Sequence, residues 1–380
     1  MKLIPVGETL DLIYATKYKT LPLLSEVTDT ILLHPDTHIA EAYRRKQTLR
    51  EYLKSRYAAD INLKIMMDHG IFISSAEFRQ LFSAEKTPEN ILKIYNALGI
   101  DYGIAYDVPS RLHLQASIEL ALKKINAKAD DRLIKSINSS VKENVESIAD
   151  LLSQFLTRHD KNARERLQKL IRESSRLYKE LRLLSEITVE ESLKNLQQQL
   201  ELKSKRKYSF LLIPVVQGLF IDDAMFALKQ IIDLLGAYGE FYESKDTYYI
   251  AIGTSGTQLS SDSARMVNSL LRYGHEIARQ NNISVKFHLL GVNSFDDIDV
   301  KLVYSADAVT SRRRAVDRRL YVINGKLKLV DIKDVRGNWF CDCPACSKFK
   351  DLVLVESSER KVDIPRVVHN LYTLMKYYNR

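Results

Sequence analysis

The sequence predicts an α/β protein whose strands form a (β/α)8 barrel, or TIM barrel, with a long helical insertion. Short runs rich in β-branched residues alternate with amphipathic helical stretches, which is typical of a parallel sheet. All 13 glycines and all 8 prolines lie outside the segment from Ser110 to Ile213, so this segment lacks the residues that most often interrupt a helix. Seven or eight strand–helix units favour a barrel over an open dinucleotide-binding sheet, and no Gly-x-Gly-x-x-Gly follows an early strand.

The predicted strands are short apolar runs, and most of them precede a helical stretch. Helices are predicted from Glu89 to Leu98, from Asp223 to Leu235 and from Ser263 to Gln280. A further strand is expected near the N-terminus. The predicted strands are Thr30 to Leu33, Leu63 to Met67, Tyr102 to Tyr106, Phe210 to Val216, Tyr248 to Ile252, Val285 to Leu290 and Ala306 to Val309.

The segment without glycine or proline has a helical pattern throughout. Its apolar residues, such as Ile148, Leu151, Leu152 and Phe155, recur near the period of 3.6 residues. A stretch of roughly 100 residues is too long for one globular helix, so we expect two to four helices. The sequence therefore divides into a first barrel half at 1–109, a helical insertion at 110–207, a second barrel half at 208–335 and a C-terminal subdomain at 336–380.

Composition places the chain among ordinary folded proteins. Of its 380 residues, 45% are hydrophobic and 28% are charged, which excludes fibrous and disordered classes. The longest apolar stretch, from Phe210 to Ile221, falls short of the roughly 20 residues of a membrane span, and the N-terminus shows no export signal. We therefore expect a cytoplasmic protein with no membrane segment, and the net charge of +9 suits a polyanionic partner without requiring one.

Polar or glycine residues follow several predicted strands. They are Asp68, Asp107, Gln217 with Gly218, Gly253 and Asp307. In a barrel these positions converge at one mouth, where this fold places its chemistry. The alternative is that the aspartates only cap the helices that follow.

The three cysteines lie within six residues, in the motif Cys341-x-Cys343-x-x-Cys346, and 22 residues separate Cys346 from His369. Three thiolates and an imidazole suit tetrahedral Zn²⁺ and leave no open position for water. The sequence therefore predicts a structural zinc site that holds the C-terminal helix in a zinc-binding subdomain. The alternative is three buried free cysteines.

Taken in order, these motifs resemble the tRNA-guanine transglycosylase family, whose fold is a zinc-bearing (β/α)8 barrel. The resemblance covers about 280 residues, and the zinc motif is its only specific element when taken alone. His69 and Ile71 replace the family's Ser and Gly, and Thr257 stands where the family's glycine loop ends in an acidic residue. The matching segments are Asp68-His69-Gly70-Ile71-Phe72, Asp107, Val216-Gln217-Gly218, Ile252 to Gly256, Leu289 to Val292 and the stretch from Asp307 to His369-Asn370-Leu371.

The resemblance implies that guanine in a nucleic acid is exchanged for a 7-deazaguanine base. Asp307 would be the nucleophile that traps the ribose covalently, and Asp68 the general acid and base. Asp107 and Gln217 would bind the edge of the base. The remaining substrate-binding residues implied are Gly218, Phe72 as a stacking ring, the backbone of Gly253, Thr254 and Ser255, and Leu290 as an apolar wall.

Positive charge follows the implied nucleophile, at Arg312, Arg313, Arg314 and Arg318. Guanidinium groups suit the phosphates beside a target nucleotide, although an exposed basic loop is the alternative. Three functions stay open: base exchange on tRNA, which we favour; the same exchange on DNA; and a noncatalytic partner subunit. Because family members commonly form dimers through the zinc region, the resemblance also makes a homodimer or heterodimer an expectation.

Overall fold

A computed structural model describes residues 1–69, 87–253, 263–291, 295, 297–307, 309–335, 341–355 and 363–379. The predicted α/β class with parallel strands is confirmed. Closure of these strands into a barrel stays a prediction. The strands are β1 (Lys2–Ile4), β2 (Val6–Gly7), β3 (Thr30–Leu33), β4 (Lys64–Met67), β5 (Tyr102–Ile104), β6 (Leu211–Ile213), β7 (Val215–Val216), β8 (Thr247–Gly253), β9 (Ser284–Leu290), β10 (Ser305–Asp307), β11 (Arg319–Asn324) and β12 (Lys326–Asp331).

Helices connect most of these strands. Helix α5 shows why a helix forms where the sequence predicts it: Thr87 accepts a hydrogen bond from the Asn90 N–H, Pro88 opens the first turn, and Gly99 ends the helix at φ 61°. The helices are α1 (Thr9–Lys17), α2 (Leu21–Ser25), α3 (Thr37–Arg44), α4 (Leu49–Tyr57), α5 (Pro88–Leu98), α6 (Ser110–Lys124), α7 (Asp131–Lys135), α8 (Lys142–Gln154), α9 (Ala163–Glu173), α10 (Ser175–Arg206), α11 (Ile221–Tyr238), α12 (Ser263–Gln280), α13 (Val309–Val316), α14 (Pro344–Leu354) and α15 (Asp363–Tyr378).

Ten strands form two parallel five-stranded sheets, in the orders β1-β10-β9-β8-β7 and β2-β3-β4-β5-β6. Two proline residues divide neighbouring strands between the sheets, because proline has no N–H to donate to a ladder. Pro5 separates β1 from β2, and Pro214 separates β6 from β7. The proline carbonyls still accept hydrogen bonds from neighbouring strands, since Leu32 N–H donates to Pro5 O at 3.0 Å and Ala251 N–H donates to Pro214 O at 2.8 Å. The predicted single strand from Phe210 to Val216 is therefore two short strands.

Side chains of the strands alternate between two buried clusters. Ile31 and Leu33 pack in the large cluster that the surrounding helices share. Leu32, between them, packs in a second cluster that also contains Ile4 of β1 and Ala251 of β8, so this cluster draws on both sheets. This alternation is the period of two that a strand imposes. The strands are therefore buried on both faces, as parallel strands usually are.

The helical insertion has its own buried cluster, which includes Val145, Leu152, Leu167 and Leu184. It contains five α-helices, α6 to α10, where the sequence predicts two to four. Polar side chains create the extra boundaries without glycine or proline: Asp130 caps α7, and Ser174 caps α10 by accepting from the Leu177 N–H. The last helix, α10, is 32 residues long.

The C-terminal part of the chain surrounds helix α15, which packs on α13, α14 and β11. Strands β11 and β12 form an antiparallel hairpin that turns at Gly325, whose φ is 70°. The predicted strand from Ala306 to Val309 ends earlier, at Asp307, and Val309 begins α13. Among the described residues, no helix is both long enough and apolar enough to cross a lipid bilayer.

Candidate active site and metal centre

The residues predicted for the active site lie at the carboxyl ends of parallel strands. Asp68 directly follows β4, and its N–H continues the ladder by donating to Leu33 O at 3.4 Å. Gln217 directly follows β7, and Asp107 lies three residues beyond β5. Asp307 is the last residue of β10. The strands that carry these groups all point their carboxyl ends the same way within their sheets, as a shared site requires.

Asp107 is the centre of a buried polar cluster. Its Oδ1 lies 2.9 Å from Nε2 of His69, and its Oδ2 accepts a hydrogen bond from Nε2 of Gln217. His69, Asp107 and Gln217 are each less than a tenth exposed. The structure thus brings together three side chains that are distant in sequence, and buried polar groups paired in this way are held in fixed orientations.

Asp68 lies at the edge of this cluster, with 22% of its side chain exposed. One carboxylate oxygen is 3.8 Å from Nε2 of His69, and the other is 3.9 Å from Nδ1 of His34. The edge of the Tyr106 ring meets His69 at 5.4 Å between ring centroids, and burial raises the pKa of Tyr106 above its ordinary value, so its hydroxyl stays neutral. A partly exposed carboxylate beside an imidazole can exchange a proton with a ligand or with water.

Two glycines fit closely around Gln217. Gly218 has a φ of 147°, and a Cβ added there would lie 2.8 Å from the backbone N of Ala224, so a larger residue would clash with helix α11. A Cβ added at Gly253 would lie 3.9 Å from Nε2 of Gln217. The end of β8 therefore lies against the side-chain amide of Gln217. Leu290, half-buried at the end of β9, pairs with Gly253 in the sheet.

Asp307 is buried, and its two carboxylate oxygens each lie 2.8 Å from the backbone N of Gly291. Gly291 follows β9 directly and has a φ of 73°, a conformation that favours glycine. The peptide N–H orients the carboxylate through a charge-assisted hydrogen bond. Asp307 ends β10, the neighbour of β1 in one sheet, and Asp68 follows β4, the neighbour of β3 in the other sheet.

Three predicted substrate-binding residues, Phe72, Thr254 and Ser255, lie outside the described residues. Among the arginines, Arg312 belongs to α13, but its side chain is not described. Arg313 and Arg318 are exposed, and Nη1 of Arg314 is 3.9 Å from Asp317. The structure thus places two predicted nucleic-acid contacts on the surface just after Asp307.

Helix α10 supplies a buried polar stripe that the sequence does not reveal, formed by Ser185, Thr188, Ser192 and Gln199. Gln199 accepts from the Tyr106 N–H at 2.8 Å, Ser192 from the Val108 N–H at 2.8 Å, and Ser185 from the Leu219 N–H at 2.9 Å. Thr188 bonds the hydroxyl of Ser110. The stripe therefore holds the two loops that carry Asp107 and Gln217. A small cavity, with room for about one water molecule at most, lies between these loops and α10.

Cys341, Cys343, Cys346 and His369 form a second cluster that can hold a metal ion, with ligand atoms within 4.8 Å of one another. The three Sγ atoms lie 3.4, 3.5 and 3.4 Å from Nδ1 of His369. The Cys346 N–H donates to Sγ of Cys343 at 3.2 Å, which forms the tight turn between the two thiols. The predicted metal-ligating residues are therefore confirmed as a cluster.

Neighbouring hydrogen bonds fix the imidazole and connect the cluster to the rest of the fold. Nε2 of His369 lies 2.8 Å from Tyr321 O, which leaves Nδ1 for the metal. The adjacent Asn370 accepts from the Tyr321 N–H at 2.9 Å and donates to Ser311 O at 3.2 Å. The metal cluster is thus joined through α15 to α13, the helix that follows Asp307.

Comparison with protein-family models finds no match to this chain, and comparison with curated proteins also finds none. The assignment of a function therefore rests on the residues described above and on their geometry.

Proposed function

We propose that this chain is a guanine transglycosylase, which exchanges guanine in a nucleic acid for a 7-deazaguanine base, with tRNA as the favoured substrate. The observation that carries the proposal is the cluster of His69, Asp107 and Gln217 beside Asp68 at the carboxyl ends of parallel strands. A carboxylate and an amide side by side offer the acceptor and donor groups that the edge of guanine requires. The order of motifs that resembles the transglycosylase family supports the same conclusion.

The fold that accompanies this proposal is a closed (β/α)8 barrel. Two segments, residues 2–7 and 211–216, each contribute one strand to the first sheet and one strand to the second. One buried cluster contains side chains from both sheets. If the sheets join at these two segments, eight parallel strands form a ring with all carboxyl ends at one mouth. Asp307 and Asp68 then share that mouth, which base exchange requires.

In the proposed reaction an oxygen of Asp307 bonds to C1′ of the ribose while the bond from C1′ to the guanine nitrogen breaks. The electron pair of that bond leaves with guanine, which takes a proton from Asp68. The incoming 7-deazaguanine then loses a ring N–H proton to Asp68 as its nitrogen bonds to C1′, and the carboxylate of Asp307 is released. Bonds and protons balance over the two steps, so the exchange needs no oxidant or reductant.

The other site residues position the substrate in this proposal. Asp107 and Gln217 bind the edge of the base, and His69 holds Asp107 from the side of Asp68. Gly218 keeps Gln217 close to α11. Phe72 stacks on the ring, the backbone of Gly253, Thr254 and Ser255 approaches it, and Leu290 forms an apolar wall. Arg312, Arg313, Arg314 and Arg318 contact the phosphates that flank the target nucleotide.

The metal that suits the Cys–His cluster is zinc, since three thiolates and one imidazole form a closed tetrahedral donor set. When bound, Zn²⁺ supplies structural cross-linking and no chemistry at the base. Cys341, Cys343, Cys346 and His369 would hold it, and the hydrogen bond from His369 to Tyr321 O orients the ring for that role.

The decisive experiment measures the transfer of radiolabelled guanine into total tRNA and into duplex DNA offered in parallel. We expect label in tRNA and a covalent enzyme–nucleic-acid adduct, both abolished in Asp307→Asn. Asp233→Asn removes an exposed carboxylate of α11 and serves as the matched control that should retain both. An adduct that survives in Asp307→Asn would refute the assignment of the nucleophile.

DNA is the second candidate substrate, and His69 is the observation that favours it. A histidine bonded to Asp107 replaces the family's serine, so the group facing the base differs from that of the tRNA enzymes. Label that enters DNA and not tRNA would establish this alternative. Label in neither would contradict both enzymatic assignments and favour a noncatalytic partner subunit.

A further inference from the structure

We infer that residues 158–182, named here the basic arm, bind the phosphate backbone of a nucleic acid next to the candidate active site. The inference rests on the proposed nucleic-acid substrate and gives the helical insertion a role in binding it. Residues 110–207 contain 21 Lys and Arg against 14 Asp and Glu, and so carry +7 of the chain's net charge of +9. Within them, the basic arm has nine Lys and Arg against four Asp and Glu.

Most of this charge faces solvent without a compensating acid. Eight of the nine basic side chains are exposed. Three of the nine pair with carboxylates: Arg164 with Glu119, Arg166 with Asp160, and Arg182 with Asp223. No ion pair within the described ranges involves the other six, so their positive field extends into solvent. These six are Arg158, Lys161, Lys169, Arg172, Arg176 and Lys179.

The opposite end of the insertion has a different use for its charge. Lys203 is mostly buried and lies 2.8 Å from Glu240, while Arg206 lies 2.6 Å from Glu89. These pairs attach the C-terminal end of α10 to α5 and to the segment after α11. Two of the four basic side chains at this end are therefore paired, against three of the nine in the basic arm, while Lys205 and Lys207 are exposed.

The direction of α10 places the basic arm on the side of the site. Arg206, at the end of α10, precedes the amino end of β6, whereas Gln199 and Ser185 contact loops beyond the carboxyl ends of β5 and β7. The helix therefore runs against the strands. At about 1.5 Å per residue, Arg176 lies about 14 Å beyond Ser185 along the helix axis, farther out on the same side as Asp107 and Gln217.

The composition of the basic arm suits nucleic acid better than an acidic protein. Six of its nine cations are arginine, whose planar fork can bind a phosphate through two parallel hydrogen bonds. Two aromatic side chains, Tyr178 within the arm and Phe155 just before it, are each 50% exposed. Exposed rings among cations can stack on unpaired bases while the cations contact the backbone.

The test measures binding of fluorescent tRNA and of a fluorescent DNA duplex by anisotropy over a range of NaCl concentrations. The arm variant carries Lys169→Gln, Arg172→Gln, Arg176→Gln and Lys179→Gln. The control variant removes the same number of exposed charges at the amino ends of the strands, through Lys17→Gln, Lys19→Gln, Arg56→Gln and Lys245→Gln. Circular dichroism and thermal unfolding verify that both variants fold.

We expect the arm variant to bind at least about tenfold more weakly near physiological salt, and the control variant to bind like the parent. The affinity falls with salt along a log–log line, and each lost phosphate contact lowers the magnitude of its slope by about 0.9 on duplex DNA or about 0.7 on single strands. Four lost contacts therefore lower it by about 3.6 on duplex DNA or about 2.8 on single strands. The probe whose affinity falls more in the arm variant, tRNA or DNA duplex, identifies the nucleic acid that the basic arm binds. Equal salt slopes for the arm and control variants would overturn the inference. Displacement of the fluorescent probe by polyglutamate as effectively as by unlabelled nucleic acid would also overturn it.

Guanine exchange, measured beside nucleic-acid binding in the parent and the arm variant, separates this inference from the proposed reaction. If the protein binds nucleic acid through the basic arm but exchanges no base, the inference stands and the proposed reaction fails. If the arm variant exchanges guanine and binds its substrate as the control variant does, the reaction stands and the inference fails.

Discussion

The contact between Ser192 of α10 and the loop that carries Asp107 can be tested directly by Ser192→Ala. The hydroxyl of Ser192 accepts from the Val108 N–H at 2.8 Å and lies 2.7 Å from Thr188 O. Val108 is fully buried, so bulk solvent does not reach its N–H to replace the lost acceptor. Leaving a buried N–H unpaired costs about 1–3 kcal/mol.

That cost is expected to appear as faster local opening of the loop next to Asp107. At about 1.4 kcal/mol per factor of ten, the Val108 amide should exchange hydrogen about 5 to 150 times faster in Ser192→Ala. Ser192→Thr keeps the hydroxyl and should stay close to the parent. In the proposed reaction the loosened Asp107 should also raise the KM for guanine.

Ser204→Ala is the matched control, because it removes the same hydroxyl from an exposed position of the same helix. Hydrogen exchange is measured by mass spectrometry with fragmentation that resolves residues 105–109. Exchange at Val108 within twofold of the parent in Ser192→Ala would refute the role of the polar stripe. An equal increase in Ser204→Ala would also refute it, since the effect would then belong to the whole helix.

Two further predictions concern histidines. His369→Ala should lose most of its bound metal and unfold at a lower temperature, because the cluster loses its only nitrogen ligand. The control His159→Ala, at an exposed loop position, should keep the metal content and the unfolding temperature of the parent. Normal metal content in His369→Ala would remove His369 from the ligand set. Burial holds the pKa of His113 down at about 4, so between pH 6.5 and about 4 the unfolded chain binds more protons than the folded chain. The stability that the neutral ring provides is therefore complete above pH 6.5 and is lost as the pH falls to about 4. Urea unfolding should show the free energy of unfolding falling with pH across this range. The slope of that free energy against pH should become flatter in His113→Gln and should be unchanged in His159→Gln.

Sequence patterns predict most strands and helices closely where the signal is local. Helix α12 has the predicted bounds, Ser263 to Gln280, and β3 has the predicted bounds Thr30 to Leu33. One difference arises where a tertiary contact replaces a ladder bond. Strand β5 ends at Ile104, before the predicted Tyr106, and the Tyr106 N–H donates to Gln199 of α10.

The two parts of the candidate site differ in how far they can be predicted. The cysteines are close in sequence and share one ligand chemistry, so their cluster follows from spacing alone. The bonds of Asp107 join residues that are 38 and 110 positions away, and no local pattern contains that pairing. In the sequence, Ser185, Thr188 and Ser192 resemble a solvated helix face, because serine and threonine occur on exposed helix faces as well as in buried polar contacts.

The residues proposed for the chemistry are held in place by the two parts of the chain that lie outside the parallel strands. On one side, α10 bonds the loops of Asp107 and Gln217 through Gln199, Ser192 and Ser185. On the other, the metal cluster fixes α15, whose Asn370 bonds α13 just after Asp307. A short strand cannot by itself orient the side chain beyond its end, because the ladder fixes only the backbone within it. The insertion and the metal-binding segment therefore do more than extend the surface, since each determines where one half of the candidate site lies.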